Sequence, residues 1–279
     1  MLDPILKWVG GKRWMKDTLT DLWLANPSER FVEPFCGALG ASLSVNPKRA
    51  LLNDFNPHLI QLFKGIKRGE EFDILMESNE ELFYQYREAF NHLDYTVGAN
   101  WETAQLFFYL IQTGFNGLCR YNLSGEFNVP FGKYKSVNYE RDLAAYRKQF
   151  RGWTFSNRDF AQVSIRPGDF VFIDSPYYET FSSYTPQGFS WEDQLRLVEF
   201  ASSIECPVVC TNNAVPSLME EYIRNGFEVR VMLAPRSVSS DGNREAAFEM
   251  VATKNLELTD FYLAHSREVK LKVSWSRRK

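Results

Sequence analysis

Short apolar runs alternate with helix-like segments near both ends of the chain, and this alternation predicts the fold. The runs at 31–36 (FVEPFC) and 50–55 (ALLNDF) flank a helix-compatible stretch, so residues 31–66 are predicted to form a β-α-β-α unit. After Pro167-Gly168 the alternation resumes, and four further strands are predicted in DFVFID, PVVCTNN, EVRVMLA and AAFEMVATK. Strands separated by helices favour an α/β sheet with helices on its faces.

The middle of the chain breaks this pattern and predicts an insertion. Residues 68–117 are predicted to be helical, whereas 118–137 are rich in Asn, Gly, Pro and aromatic residues. Within the second segment, the string YNLSGEFNV predicts a β-hairpin with SGE as its turn. The predicted fold class is therefore an α/β sheet interrupted by a helical and β-hairpin insertion.

The composition is that of an ordinary globular protein, with 44% hydrophobic and 24% charged residues among 279. The net charge of −3 argues against nucleic-acid binding unless positive charge is concentrated locally. Local clusters do occur, near the N-terminus, in the predicted hairpin and in a late polar loop: Lys7, Lys12, Arg13, Lys16, Arg120, Lys133, Lys135, Arg236 and Arg244. The C-terminal SWSRRK is more typical of a solvated end than of a phosphate-binding site.

The cysteines and the N-terminal sequence argue against several other classes of protein. The four cysteines lack the spacing of a metal site and only three scattered histidines are present, so we expect free thiols and no bound metal. The N-terminus has no apolar signal core, and no window approaches the length of a membrane span. We therefore expect a cytoplasmic protein without membrane contact.

A glycine turn, PFCGALG, follows the first predicted strand. In an open α/β sheet, ligands bind where strands turn into helices, and Gly37 would allow a ligand to approach closely. Asp54 closes the next strand and could accept both hydroxyls of a ribose. No phosphate-binding glycine motif is present, and Glu33 would repel a pyrophosphate, so S-adenosylmethionine, which carries an amine and a sulfonium, fits best. A purely structural turn is the alternative.

The tetrapeptide Asp174-Ser175-Pro176-Tyr177 follows the apolar sequence FVFI and should emerge at the same edge of the sheet. The Asp174 carboxylate and the Ser175 carbonyl could accept both N–H groups of an exocyclic amine such as adenine N6, whose delocalised lone pair is a poor nucleophile. Tyr177 could stack on a base that has left the duplex. A strand that ends in a proline turn with a capping aspartate is the alternative.

Taken together, these segments resemble the DNA adenine methyltransferase (Dam) family of bacteria and phages, the D12 type. The resemblance covers most of the chain in order, through LKWVGGK, FVEPFCGALG, LNDFN, GFNGLCRYNLSGEFNVPFGKYK, DFVFIDSPYY, GFSWEDQ and RSVSSDG. The long central string is the most specific, because general fold physics does not require it. The resemblance implies a Rossmann-like S-adenosylmethionine-dependent methyltransferase sheet and methyl transfer to N6 of a flipped adenine in duplex DNA, within the sequence GATC.

The resemblance also implies roles for individual residues. Those implied at the cofactor are Trp8, Lys12, Glu33, Pro34, Phe35, Cys36, Gly37, Asp54, Asp159, Phe160 and Asp174. The catalytic tetrapeptide is Asp174, Ser175, Pro176 and Tyr177. Those implied at DNA are Lys7, Phe115, Asn116, Leu118, Arg120, Asn128, Pro130 and Lys133. Among these, Arg120 matches the arginine that reads a guanine, and arginine bound to guanine O6 and N7 is the commonest specific base contact.

Three positions depart from the family pattern. Ser175 replaces the first proline of the usual DPPY sequence, which keeps the carbonyl but removes rigidity worth about 0.4–1 kcal/mol. Leu39 stands where many members have glycine, and Lys133 stands where an arginine is common. Because lysine lacks the bidentate fork of arginine, recognition of GATC could be relaxed.

We predict a catalytic domain at 1–56 and 145–279, a DNA-recognition domain at 57–144, and a monomer. Two alternatives stay open: a sequence-specific DNA-binding homologue whose catalysis is impaired at Ser175, and an enzyme of the same fold that methylates RNA or protein. Whether the biological role is restriction protection or the marking of replicated DNA also stays open.

Overall fold

The computed structural model describes residues 2–93, 98–137, 139, 142–178, 188–234 and 247–269. The RSVSSDG string with Arg236, the nearby Arg244 and the SWSRRK end lie outside the described residues. The strands are β1 (Arg30–Glu33), β2 (Ala50–Asn53), β3 (Trp153–Ser156), β4 (Asp169–Asp174), β5 (Val208–Asn213), β6 (Glu228–Ala234), β7 (Ala247–Lys254) and β8 (Arg267–Glu268). The α-helices are α1 (Lys16–Ala25), α2 (Gly40–Val45), α3 (Pro57–Arg68), α4 (Glu80–Asn91), α5 (Trp101–Thr113), α6 (Ala144–Gln149), α7 (Trp191–Ser202), α8 (Pro216–Arg224) and α9 (Asp260–His265).

These strands form one sheet in the order β3-β2-β1-β4-β5-β7-β6-β8. Strands β1 to β5 are parallel, whereas β7 runs antiparallel to both β5 and β6. The strand order reverses between β1 and β4, because the chain first winds outward through β2 and β3 and then returns to wind the other way. This sheet confirms the predicted Rossmann-like methyltransferase fold, and the reversal is where open α/β sheets bind ligands.

Alternation of side chains along the central strands gives the sheet two apolar faces. On one face, Phe31 of β1 stacks on Phe170 and Phe172 of β4, with ring centroids 5.8 and 6.4 Å apart, and Trp23 of α1 covers them. The residues on the opposite face pack with α7 and α8: Val32, Val171 and Ile173. Because both faces are covered, β4 is buried as far as Ile173, and its last residue, Asp174, is half-buried.

The prediction that 68–117 is helical is confirmed for α4 and α5 and is wrong for 69–79, which joins α3 to α4. Helix α3 ends at Arg68, where Gly69 adopts φ +96° and donates its N–H to carbonyls in the last turn. Helix α4 begins only after Asn79, whose side chain accepts the Leu82 N–H at 2.9 Å. Capping residues end one helix and start the next, and the spacing of apolar residues does not reveal this.

The predicted hairpin forms, but its turn lies earlier than expected. Tyr121 and Phe127 pair as an antiparallel bridge, and the Gly125 N–H donates to the Asn122 carbonyl at 2.9 Å. The turn therefore spans 122–125 and begins two residues before SGE. Buried Phe127 anchors the hairpin against α4, because its ring packs edge-on to Phe90 at 6.2 Å.

Strands β3 and β8 are absent from the predicted strands, because four and two residues carry too little periodicity to identify. In the described part of the chain, no helix is both long and apolar enough to cross a membrane.

Candidate active site

The ends of β1 and β4 place two acidic residues at the reversal of strand order. Glu33 is the last residue of β1, Asp174 is the last residue of β4, and the two strands are parallel neighbours. The charge of Asp174 acts directly on the Glu33 carboxyl. The glycine turn and the tetrapeptide thus lie at the same edge of the sheet, as methyl transfer between them requires.

Hydrogen bonds to the end of β2 hold the turn that follows β1. The N–H of Gly37, at φ +45°, donates to Asp54 Oδ2 at 3.0 Å, while Asp54 Oδ1 accepts the Asn56 N–H at 2.9 Å. A Cβ on Gly37 would lie 2.9 Å from Nε1 of Trp8, so the close approach of the indole requires glycine. Leu39, found in place of a glycine, adopts φ +66°, a strained conformation for a leucine.

Glu33 is not the exposed charge that its place beside the turn suggests. Its side chain is buried and accepts hydrogen bonds from the Ser42 hydroxyl and from the Ser42 N–H at 3.2 Å. Burial raises the pKa of Glu33 to about 8, and the charges of Asp174 and Asp54 act in the same direction against the Ser42 hydrogen bonds. Burial also raises the pKa of Asp54. A cationic ligand beside Glu33 would favour the ionised form of that carboxyl.

Asp174 is bound by a buried lysine. Lys12, which begins a 3₁₀ turn after two glycines and is only 3% exposed, places Nζ 2.8 Å from Asp174 Oδ1. The Thr211 hydroxyl, at the matching position of β5, donates to the same oxygen at 2.9 Å. Because both contacts involve Oδ1, Oδ2 is the oxygen that an arriving amine would meet.

Tyr177 is fixed by a residue that sequence analysis did not identify. Its hydroxyl donates a hydrogen bond to Oε2 of Glu249, on the antiparallel strand β7. Lys12 Nζ lies 3.8 Å from the same oxygen and 4.7 Å from the centroid of the Tyr177 ring. The lysine therefore joins two carboxylates and one aromatic face into a single cluster.

Aromatic residues and an ion pair flank the other side of the glycine turn. The half-buried ring of Phe35 lies 5.3 Å from Phe160 and 5.9 Å from Phe189. Asp159 is bound by the guanidinium of Arg196, whose nitrogens lie 3.1 and 3.0 Å from its two oxygens. Arg196 also covers the Phe160 ring at 4.4 Å. The implied cofactor residues Phe35, Asp159 and Phe160 are thus brought together.

The backbone of the turn is tied to β2 by a second set of contacts. Buried Asn53 donates through Nδ2 to the Pro34 carbonyl at 3.0 Å, and its own carbonyl accepts the Cys36 N–H at 2.8 Å. The same amide reaches the Arg158 carbonyl at 3.0 Å, next to Asp159. Asn53 therefore fixes the glycine turn and the Asp159 loop relative to each other.

A second group of implied residues lies around the end of α5. Lys7 Nζ donates to the Gln112 carbonyl at 3.1 Å and lies 3.8 Å above the Tyr134 ring. The Tyr134 hydroxyl accepts the N–H of Asn116, which adopts φ +54°. A Cβ on Gly117 would come within 2.7 Å of the Lys7 Cβ, so glycine allows the N-terminal segment to pack here.

Arg120 lies on the hairpin and is exposed. It donates through Nε to Asn128 Oδ1 at 2.8 Å and through a terminal nitrogen to the Asn128 carbonyl at 3.1 Å. Asn128 thereby holds the guanidinium in a defined place that solvent and other ligands can still reach.

The remaining implied DNA residues differ in exposure. Phe115 is 48% exposed, and Pro130 and Lys133 are also exposed, whereas Leu118 is half-buried. Lys133 adopts φ +54°. All of these positions belong to the segment 114–135, which folds back on the end of α5 through the bridge between Gly114 and Phe131.

One short segment links the three groups. Within residues 7–12, Lys7 packs on the segment 114–135, Trp8 covers Gly37, and Lys12 binds Asp174. The N-terminal segment therefore spans the glycine turn, the tetrapeptide and the hairpin side of the molecule.

Several residues around the site were not predicted from the sequence. Thr211 and Asn212 could have been found, since they lie near the end of β5 at the same edge of the sheet. Glu249 and Tyr134 carry no such signal, because only the antiparallel return of β7 and the fold of the segment 114–135 bring them into place.

The fold and this cluster together define a Rossmann-like methyltransferase. A family model for the D12 class N6 adenine-specific DNA methyltransferases matches residues 8–230, and the chain belongs to that family. It is 34% identical to the retron Ec67 DNA adenine methylase of Escherichia coli over 90% of this chain and 91% of that one. It is 35% identical to the DNA adenine methylase of Escherichia coli K12 over 88% and 93% of the two chains. A third relative, the DNA N-6-adenine-methyltransferase of Escherichia phage P1, is 33% identical over 86% of this chain and 33% of that protein.

Proposed function

We propose that this DNA adenine methyltransferase transfers a methyl group from S-adenosylmethionine to N6 of an adenine flipped out of duplex DNA, within the sequence GATC. The observation that carries the proposal is the position of Asp174 and Ser175, at the end of β4 and beside the glycine turn of β1. Membership in the adenine-specific family supports the nature of the acceptor.

The residues around the glycine turn fit S-adenosylmethionine. Gly37 presents backbone without a side chain where the ligand would approach, and Asp54, which binds the Gly37 N–H, would accept ribose hydroxyls. The apolar rings of Phe35 and Phe160 suit an adenine, while buried Glu33 suits a cation. When bound, this cofactor supplies an electrophilic methyl group on a sulfonium.

The tetrapeptide supplies the acceptors for the amine. Asp174 Oδ2 and the Ser175 carbonyl would accept the two N–H bonds of adenine N6, which draws the lone pair out of the ring as the nitrogen becomes tetrahedral and positive. Lys12 and Thr211 hold Oδ1 and so fix the plane of the carboxylate. No covalent intermediate is needed, and the excess proton of the product leaves from nitrogen toward Asp174.

Tyr177 provides the surface for the extruded base. Its ring is held by Glu249 and Lys12, so it does not have to be ordered when the base arrives. Stacking on a fixed ring offsets part of the cost of unstacking the adenine from the duplex.

Sequence recognition is assigned to residues 57–144, with 1–56 and 145–279 as the catalytic domain. Arg120 would read a guanine after leaving Asn128, and exposed Phe115 would fill the space that the flipped base vacates. Lys7 and Lys133 would add further contacts to bases, with Asn116 at a phosphate. We assign the active form as a monomer, because the residues that carry the proposed chemistry come from one chain.

The test is to methylate unmodified DNA of mixed sequence with purified protein and map N6-methyladenine at base resolution. The proposal expects modification confined to adenines in GATC, with loss of modification in Asp174→Asn. Binding of a GATC duplex without methyl transfer would instead identify an impaired homologue. Modification at unrelated sequences would refute the assigned recognition but not the chemistry.

A further inference from the structure

Ser175, the residue that replaces a family proline, is engaged in a buried hydrogen bond. Ser175 is 3% exposed, and its Oγ accepts a hydrogen bond from Nδ2 of Asn212 at 3.2 Å. Asn212 lies near the end of the neighbouring strand β5 and is 0% exposed. The serine hydroxyl is therefore attached to the rigid sheet.

The same amide group holds the residue beyond the tetrapeptide. Oδ1 of Asn212 accepts the Tyr178 N–H at 3.1 Å. Asn213, the next residue of β5, donates from its side chain to the Tyr178 carbonyl. Strand β5 thus forms hydrogen bonds with Ser175 and Tyr178, on either side of Tyr177, the proposed base-stacking residue.

Helix α7 supplies a second buried amide. Gln194, which is 0% exposed, donates through Nε2 to the Pro176 carbonyl at 2.9 Å. Its Oε1 lies 3.4 Å from Nδ2 of Asn212, so the two amides are linked. The side chain of residue 175, the carbonyl of 176 and the N–H of 178 are therefore fixed by one connected network. Connected hydrogen bonds between buried groups favour a single geometry.

We propose that Asn212 and Gln194 are positioning residues, which hold the Ser175 carbonyl and the Tyr177 ring in place for methyl transfer, and that the Ser175 hydroxyl is the group through which Asn212 acts. In this chain, hydrogen bonds from β5 and α7 supply the rigidity that a second proline would supply by restricting φ. The inference rests on the proposed role of Asp174 to Tyr177. It also makes Ser175 part of a working site and not a sign of lost catalysis.

The first test is steady-state kinetics of Asn212→Ala and Gln194→Ala. A loosened loop misplaces groups by fractions of an ångström, so kcat should fall about 10–100-fold, while KM for DNA and for S-adenosylmethionine should change less than about threefold. The matched control is Asn26→Ala, because Asn26 is also a buried asparagine whose side chain links two separate segments, here the backbone carbonyls of Leu22 in α1 and of Glu257. Below its unfolding temperature that variant should keep its kcat within about twofold.

The second test asks whether Asn212 acts through Ser175. Adding Ser175→Ala to Asn212→Ala should lower kcat less than about twofold further, because the linking bond is already lost, although Ser175→Ala alone should reduce kcat several-fold. Adding Ser175→Pro to Asn212→Ala should recover much of the lost kcat. Independent, multiplicative effects of Ser175→Ala and Asn212→Ala would overturn the proposal, as would an effect confined to KM or to the unfolding temperature.

The Asp174→Asn variant distinguishes failure of the positioning role from failure of the proposed methyl-transfer chemistry. If it is inactive while Asn212→Ala is fully active, the positioning role is wrong and the proposed chemistry stands. If Asp174→Asn itself retains full turnover, the proposed chemistry is wrong.

Discussion

The edge of the sheet at β1 and β4 and the segment 114–135 are built on opposite principles. At the sheet edge, the charged and polar groups are buried or half-buried and bound to one another, as in the contacts of Lys12 with Asp174 and of Glu33 with Ser42. On the segment 114–135, the groups proposed to read DNA are exposed, and Arg120 is held by Asn128 on the surface.

The difference follows from what each region has to do. A developing charge is stabilised best by groups that are already in place and shielded from water, since they need no reorganisation during the reaction. A base edge in a groove must be reached by a side chain that exchanges one hydrogen-bond partner for another. The segment 7–12 contacts both regions and so connects the proposed recognition surface with the proposed reaction site.

Asp174→Asn tests the buried side of the contrast and should have the largest effect. The side chain keeps its shape but loses the charge that would stabilise a positive nitrogen, so kcat should fall about 10²–10³-fold with little change in duplex affinity. Transfer of tritiated methyl groups and DNA titration measure the two quantities. Glu220→Gln, an exposed acid paired with Arg224, is the control and should behave like the wild type. Substantial turnover by Asp174→Asn would contradict the assigned role.

Arg120→Ala tests the exposed side. Discrimination at one guanine should decrease by about 1–3 kcal/mol, while turnover at saturating cognate DNA changes little. The measurement is kcat/KM on GATC duplexes with each base pair replaced in turn. Lys135→Ala, a cation of the same segment, should weaken binding to all sequences equally. The same uniform weakening in Arg120→Ala would identify it as a phosphate contact.

Glu249→Gln tests whether buried contacts behind the site matter as much as those at the reacting atoms. Removing the charge weakens the hydrogen bond from Tyr177 and the interaction with Lys12. The activation free energy of turnover should therefore rise by about 1.5–2 kcal/mol, and kcat should fall accordingly. Urea unfolding of the same variant shows whether the loss is structural. An unchanged kcat would mean that Tyr177 is positioned without Glu249.

Glu33→Gln tests the buried region through the pH dependence of the free energy of unfolding. A carboxyl whose pKa is about 8 in the folded protein and 4.5 without burial stabilises the fold at low pH, and that contribution is lost as pH rises toward 8. Between pH 6 and 7 the free energy of unfolding should fall by up to about 1.4 kcal/mol from this group. Glu33→Gln should lack this part of the slope in urea unfolding without cofactor. Equal slopes for the two proteins would show that Glu33 is ionised in the fold.

The residues proposed to carry the chemistry lie at strand ends and could be predicted from the sequence, whereas several residues that contact them could not. Asp174 and Gly37 follow apolar runs, and the rule that ligands bind at the ends of parallel strands brings such residues together. Glu249 has no comparable signal, because it faces the site from within an antiparallel strand. Likewise, apolar spacing predicted helix through 68–117, yet Gly69 and Asn79 interrupt it through capping geometry.

The sequence by itself determined strands β1, β2 and β4 to β7, the β-hairpin, and the residues at the ends of β1 and β4, because periodicity and local motifs act over short stretches of chain. Only the tertiary structure decided that Glu33 is buried with a raised pKa and that Lys12 binds Asp174. It also decided that Ser175 is held by Asn212. Burial and hydrogen-bond partners depend on which distant segments meet, and that is set by the packing of the whole sheet.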